Sequence, residues 1–309
     1  MLDVRRLKVL REVARRGSFS AAAQALSFTQ PAVSQQVAAL ERESGSTLLE
    51  RNARGVRLTE AGAALVTHAD AILARIEDAE DELAAIAGLR GGRLRLASFQ
   101  SAGATLLPRA VAEFNGRHPD VELGMVVAEP SEASERMRAG DVDLALVYDS
   151  ERIPGMLDDD LDLTHLLDDP YEVVLPENHP LASRRRLRLA DFSDEPWIVS
   201  GSQAGCRPIY ERACADAGFE PRFAFEADET MAAQALVATG VGITLLPRLA
   251  LNPLNPALVS RPLGREAPVR RIWAAHLGEG FVSPATEAMR QILCDTAGDF
   301  LAESQLAAA

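Results

Sequence analysis

The first sixty residues carry short apolar stripes punctuated by small polar residues and glycines. Leu7, Leu10, Val13 and Ala14 share one face of a helix that Asp3 can cap and Gly17 ends after Arg16. A short, small-residue helix is expected from Ala21 to Leu26, followed by a turn at Ser27-Phe28. Thr29 is placed to cap a third helix, with Pro31 in its first turn, where a missing N–H costs nothing, and Gly45 as its stop. On that helix Val33, Val37 and Leu40 recur at i, i+4, i+7 and face inward, while Gln30, Ser34, Gln35 and Gln36 lie near its start on other faces. Extended segments around Asn52-Ala53-Arg54-Gly55 then read as a β-hairpin.

From Thr59 to about Leu89 the pattern changes to one long proline-free helix. Leu65, Ala69, Ile72, Ile76, Ala79, Leu83 and Ile86 are spaced 4, 3, 4, 3, 4, 3, a heptad seam with charged residues around it. A helix of about 30 residues spans roughly 45 Å, longer than a small domain is wide, so part of the seam calls for a second copy of the chain. Gly91-Gly92 ends this pattern, and strands begin to alternate with helices. RLRLAS (93–98), VELGMVVA (121–128), DLALVY (143–148), HLL (165–167), YEVVLP (171–176), WIVS (197–200), FAFEA (223–227), GITLLP (242–247) and RRIWAAH (270–276) read as strands. Helices are expected at 106–118, 131–139, 208–217, 230–239 and 283–301. Alternation of this kind argues for a parallel, doubly wound sheet. The division expected is 1–58, 59–90 and 91–309.

Composition alters this picture at one point. The chain's net charge of −13 argues against nucleic acid only when taken whole. Residues 1–60 hold ten basic and six acidic side chains, a net +4 on the head of an otherwise acidic chain. Screening limits phosphate attraction to about 10 Å, so a basic head can bind DNA whatever the body carries. No apolar run reaches the roughly 18 residues of a membrane span, and the charged N-terminus lacks the apolar core of a secretory signal. Three cysteines form no disulfide framework, and the expected location is the cytoplasm. Arginine in place of nearly all lysine, with abundant alanine, points to a GC-rich bacterial genome. Scattered histidines give no metal-ligand spacing, and G-x-S-x-G, H-E-x-x-H and a phosphate loop are all missing, so no enzyme, metal or cofactor is expected.

Two helices joined by a tight turn, the second with amides near its N-terminus, form the geometry that enters a major groove. Glutamine can bond base edges bidentately, and arginines on a hairpin suit phosphates or a narrow minor groove. The same pattern also fits a plain three-helix bundle with a solvated polar face. What separates the two is the whole string SFSAAAQALSFTQPAVSQQVAALERESGSTLLERNARGVRLTEAG (18–62). Its Ala-Ala pair, Gln-Pro-Ala-Val-Ser, Leu-Glu, Leu-x-x-Arg and Leu-Thr-x-Ala-Gly closely resemble the DNA-binding segment of LysR-type transcriptional regulators. The resemblance implies that Gln30, Pro31, Ser34 and Gln35 lie at or in the major groove, Arg51 on backbone phosphate, and Arg54 on the wing near the minor groove. Ser44 and Leu49 depart from the family's usual aliphatic residue and Phe, both at packing positions.

A looser resemblance, resting on the order of elements with GDVDLALV and ATGVGITLLP, extends over residues 92–300 to the family's effector-binding domain. The expected fold is therefore an N-terminal all-α winged helix-turn-helix, a long linker helix, and a C-terminal α/β two-lobed domain similar to type 2 periplasmic-binding proteins. Lobe I would be about 92–162 with 267–300, and lobe II about 163–266. Ligands in such sheets sit beyond the carboxyl ends of strands. That selects Ser98, Phe99, Gln100, Ser101, Glu129 and Tyr148 in lobe I, and Ser200, Ser202, Gln203 and Asp228 in lobe II. Helix starts there favour a carboxylate effector, whereas Glu129 and Asp228 favour a cationic or hydroxylated one.

The resemblance implies a regulator whose small-molecule effector closes the cleft and changes how dimers pack. Its partners would be double-stranded operator DNA, a homodimer through the linker helix, a homotetramer, and RNA polymerase. Some peroxide-sensing members carry a cysteine pair near the positions of Cys206 and Cys214, which makes redox sensing an alternative. On one helix those residues would stand about 12 Å apart, beyond the ~7 Å reach of a disulfide. An enzyme or solute-binding domain with an accessory DNA-binding head is the other alternative.

Overall fold

The computed structural model describes residues 1–309 except 53–54, 87–91, 185, 201–205, 228, 279–281 and 309. The chain divides into two compact units, one built on Met1–Leu89 and the other on Arg90–Met137 and Val142–Ala309.

The first unit contains α1 (Val4–Arg16), α2 (Phe19–Ala25), α3 (Gln30–Ser44), the hairpin β1 (Leu49–Asn52) and β2 (Gly55–Leu58), and α4 (Glu60–Ile86). Its helices start where side chains can take up their free N–H groups. Asp3 accepts from the Arg5 N–H at 2.8 Å, Ser18 from Ala21 at 3.4 Å, and Thr29 from Ala32 at 3.4 Å. Gly17 and Gly45 end α1 and α3 in the left-handed region, at φ 62° and 68°. Helix α2 begins two residues earlier than expected, because Ser18 is its cap and Ser20 lies inside it. Leu7, Leu10, Val13, Val33, Val37, Leu40 and Leu48 form one buried cluster, against which Leu58 and Leu65 pack.

Two polar residues join the third helix to the hairpin and to α4. The Glu41 carboxylate accepts from the backbone N–H groups of Leu48 and Leu49, at 2.9 and 3.4 Å. The Thr59 hydroxyl accepts from the Gly62 N–H at 3.0 Å, capping α4, and donates to the Thr47 carbonyl at 2.7 Å. This brings the first turn of α4 directly onto the Leu48 carbonyl.

The second unit is an α/β structure in two lobes. Lobe I has the strand order β6–β11–β5–β3–β4, using β3 (Arg93–Ser98), β4 (Glu122–Val127), β5 (Leu144–Asp149), β6 (Leu161–Pro176) and β11 (Val269–Leu277). Short α5 (Gln100–Ala104) follows β3. Side chains of α6 (Leu106–Arg117) and α10 (Pro284–Ala308) meet Leu94, Leu96, Leu144 and Leu146 on one face, while α7 (Pro130–Arg138) covers Ala97, Ala145 and Val147 on the other. In lobe II, β6 is flanked by β10 (Leu258–Pro262) and β9 (Thr244–Pro247). A bridge from Ile243 leads on to β7 (Pro196–Ser200) and β8 (Arg222–Ala227), with α8 (Arg207–Asp216) and α9 (Thr230–Ala238) packed around them.

Two expectations need correction. The sheet is mixed rather than parallel: β3 pairs β4 and β5 in parallel, but β11 pairs β5 and β6 antiparallel, and β6 pairs β9 and β10 antiparallel. The segments 165–167 and 171–176 are one 16-residue strand, β6, which pairs β11 up to Pro170 and the lobe II strands from Tyr171 on. The additional strand β10 is not foreseen by the apolar pattern.

Gly62 gives the head its sharpest steric test. A Cβ there would lie 2.0 Å from the Leu48 carbonyl oxygen, a backbone atom with no freedom to withdraw. Gly62→Ala is expected to destabilise the first unit by about 1–3 kcal/mol, as overpacking does. Thermal unfolding followed by circular dichroism checks this, and an unchanged midpoint would contradict the packing described.

Candidate functional site

Helix α3 exposes a polar end and buries an apolar side. Gln30, Pro31 and Gln35 are exposed, Ser34 is half-buried, and Val33, Val37 and Leu40 are inside. Gln36 accepts from Arg6 Nε at 3.2 Å, which directs it toward α1 and away from the exposed end. Arg51 lies in β1, and Arg54 is outside the described residues. The face formed by Gln30, Ser34 and Gln35 is that of a helix available to a groove, with the amide donors and acceptors that base edges require.

Along α4 the heptad positions separate by environment. Leu65 and Ala69 pack on the head's own cluster, whereas Ile72 and Leu83 are exposed, and with Ile76 and Ala79 they line a shallow apolar groove. Ile86 closes the helix, and nothing is described of its side chain.

The second unit has a cleft of about 430 Å³ with an interior of about 50 Å³. From lobe I it is lined by Phe99, Gln100, Ser101, Glu129 and Tyr148. From lobe II come Cys206, Tyr210, Thr230 and the run Leu245 to Pro247, while Tyr171 and Arg270 lie on the strands that cross between lobes. Ser98 does not line it: its hydroxyl is buried and donates to the Phe99 carbonyl at 3.1 Å. Ser200 ends β7, while Ser202, Gln203 and Asp228 lie outside the described residues.

At the floor, β6 and β11 place Asp169 and Arg270 directly opposite one another in antiparallel register. Both are fully buried, and Asp169 Oδ2 accepts from Arg270 Nε at 3.0 Å and Nη2 at 2.8 Å. Nη2 also donates to Ser101 Oγ at 2.5 Å, and the Leu249 N–H donates to Asp169 Oδ1 at 3.1 Å. The guanidinium lies over the rings of Phe99 and Tyr148, at 4.7 and 5.2 Å from their centres. Burial lowers the pKa of Arg270, but the Asp169 carboxylate together with Tyr171, Cys206 and Tyr148 outweighs it, and the group stays charged.

Three phenols surround this pair, and burial raises the pKa of each, so all keep their protons. Tyr148 donates to Glu129 at 2.6 Å. Tyr210 contacts Thr244 Oγ1 at 2.8 Å, accepts from the Leu245 N–H at 2.8 Å and bonds the Leu245 carbonyl. At the mouth, Gln100 Oε1 accepts from the Thr230 N–H at 3.4 Å and hydroxyl at 3.3 Å, a long contact from lobe I to the start of α9. Tyr171 and Arg270 lie within strands and Tyr210 within α8, so the strand-end rule does not reach them, and Thr230 lies three residues beyond the end of β8 at the start of α9.

Cys206 caps α8 and Cys214 lies within it, both as free thiols. Burial, aided by Glu211, pushes the Cys214 thiol up to about 12, the opposite of an activated sulfur. Alkylation at pH 8 should leave Cys214 unmodified in the folded protein, its thiolate fraction being on the order of 10⁻⁴. Mass spectrometry showing modification as fast as in a denatured control would refute this. The buried ion pair makes a second prediction. Asp169→Asn should cost about 3–5 kcal/mol by leaving the guanidinium unpaired, and Asp169→Leu with Arg270→Met together should cost less than the two single changes summed. Urea unfolding of the parent, the two single variants and the double variant measures the coupling, and strict additivity would refute it.

Comparison with known proteins agrees with both halves of this description. The model of the LysR substrate binding domain matches residues 87–298, and that of the bacterial regulatory helix-turn-helix protein, lysR family, matches residues 4–63. The chain is 33% identical over 298 residues to the "Probable HTH-type transcriptional regulator LrrA" of Synechococcus elongatus, covering 96% of this chain and 98% of that one. It is 30% identical to the HTH-type transcriptional regulator CbbR of Rhodospirillum rubrum, covering 93% of this chain and 94% of the relative. Among solved structures, a full-length OxyR variant from Pseudomonas aeruginosa superposes with a TM-score of 0.73 at 21% identity, over 96% of this chain and 95% of that one. Full-length CbnR in complex with its target DNA gives 0.69 at 23%, over 96% and 100%. With family models spanning the head and most of the body, the chain belongs to the LysR family of transcriptional regulators.

Proposed function

We propose that this regulator reads its operator with the exposed end of α3 and answers to a small molecule held in the cleft between its two lobes. The observation that carries the reading is the pairing of two features on one chain: a recognition helix with exposed amides, and a cleft whose floor holds a buried, fully charged guanidinium. Gln30, Pro31, Ser34 and Gln35 are assigned to the major groove, Arg51 to phosphate and Arg54 to the wing's contact. Phe99, Gln100, Ser101, Glu129 and Tyr148 are assigned to the effector, joined by Tyr171 and Arg270. Working divisions are a head at 1–58, a linker helix at 59–90 and an effector-binding body at 91–309.

The exposed apolar groove of α4 supports dimerisation through that helix, which would set two heads on a pseudo-palindromic site. No helix among the described residues is long and apolar enough to cross a membrane, and a cytoplasmic location suits a protein that must reach DNA. Relatives named for RuBisCO regulation in Allochromatium vinosum and other organisms make carbon-fixation promoters the first set to screen.

Gel shift on an operator selected from genomic fragments tests the DNA reading. Gln35→Ala should weaken binding by about 1–3 kcal/mol, while the unfolding midpoint stays the same. Undiminished affinity would remove Gln35 from the interface. Leu83→Glu should convert dimers to smaller species in light scattering, and an unchanged mass would exclude the α4 groove.

A further inference from the structure

Tyr171 is set apart from the other phenols of the cleft. Its hydroxyl is fully buried, lines the interior, and has no hydrogen-bond partner among the oxygens and nitrogens around it, whereas Tyr148 and Tyr210 spend theirs on Glu129 and on lobe II backbone. Burial and the adjacent Cys206 sulfur keep it protonated. A buried donor left unmade is costly, and the cost is recovered only if something enters to accept from it. Arg270, a second donor, lines the same space. Arg270 commits Nε and Nη2 to Asp169 and Ser101, leaving Nη1 toward the Cys206 sulfur at 4.0 Å, a weak acceptor at long range.

The two under-used donors at this pocket call for a ligand that presents acceptor oxygens. Both local carboxylates are engaged, Asp169 by Arg270 and the Leu249 N–H, and Glu129 by Tyr148. The 10-residue helix α8 begins at Cys206, so its positive end lies at the same wall. The interior of about 50 Å³ has room for roughly three to five water-sized groups, and Leu245, Pro247 and Ala250 supply an apolar side.

We propose that Arg270 Nη1 and the Tyr171 hydroxyl grip the two oxygens of a short carboxylate of one to three carbons, seated against Cys206 with its carbon end toward Leu245. The assignment rests on the cleft being the effector site and narrows that effector to one chemical class. Charge-assisted bonds from two preset donors supply the affinity, and the size of the interior sets the limit on chain length.

Calorimetric titration of the full-length protein with acetate, glycolate and pyruvate tests it, with acetamide as a neutral control and inorganic phosphate as a tetrahedral anion control at matched ionic strength. The carboxylates should bind saturably and the controls should not. Tyr171→Phe removes only a hydroxyl that bonds no oxygen or nitrogen of the protein, so its unfolding midpoint should match or exceed the parent's. The same change should weaken the carboxylates roughly 10- to 100-fold. Absence of saturable carboxylate binding, equal affinity for acetamide, or unchanged binding by Tyr171→Phe would each overturn the anchor. Operator footprinting on the same samples separates this from the regulatory reading. If carboxylates bind through Tyr171 yet the footprint does not respond, the anchor stands and the effector role of the cleft falls. If the footprint responds to a different compound and Tyr171→Phe is indifferent to it, the anchor falls and the effector role stands.

Discussion

The second unit is organised around one cross-strand ion pair, Asp169 with Arg270. Removing two charges from water costs several kcal/mol per ion, recovered only when every remaining bond is made. Here the carboxylate takes two guanidinium N–H groups and a backbone N–H, and the guanidinium adds Ser101 and two aromatic faces. Those partners come from both lobes: Phe99, Ser101 and Tyr148 from lobe I, Leu249 and Cys206 from lobe II. Misplacing either crossing strand by one residue would turn its charge to the opposite face of the sheet and leave the other unpaired. The pair therefore fixes the register in which β6 and β11 pass from one lobe to the other.

What is legible in the sequence follows from how local each interaction is. Helices α1 and α3 are readable from end to end because Asp3, Thr29, Gly17 and Gly45 act within a few residues of themselves. The start of α2 is ambiguous because Ser18 and Ser20 are equally good caps, and only the packing of Phe19 in the core decides between them. Strand β6 reads as two because Asp168-Asp169-Pro170 has the composition of a turn. Its continuity comes from β11, whose residues lie about a hundred positions away. The same distance hides the antiparallel pairs, since alternation of strands and helices describes only neighbours in sequence. β10 escapes notice because LVSRP is short, edge-like and ends in proline.

The cleft is half legible for a related reason. Strand-end reasoning reaches Phe99, Gln100, Ser101, Glu129 and Tyr148, all of which line it. The missed residues obey a different rule that is present in the sequence. Arg270 alternates with Ile272 and Ala274 on the buried face of β11, and Asp169 alternates with Leu167, Tyr171 and Val173 on that of β6. An arginine and an aspartate each in register with an apolar face announce buried charge, and buried charge requires a partner. No local pattern states that the two strands are adjacent, so the partner's identity waits on the fold.

Floor and mouth of the cleft differ in a way that bears on how occupancy is sensed. The floor is held by short charge-assisted bonds on strands shared by both lobes, whereas the mouth is spanned by the long Gln100–Thr230 contact at 3.3 to 3.4 Å. A ligand shifts a conformational equilibrium only by the difference in its affinity for the two states. Contacts to a floor that is the same in both states add affinity without adding coupling. On the proposed effector reading, coupling would reside in groups whose separation changes if the lobes move, and Gln100 and Thr230 are a pair in contact from opposite sides. On the proposed reading such a cleft would divide its labour: Arg270 and Tyr171 would decide what is held, and the weak bond at the rim would decide what holding it does.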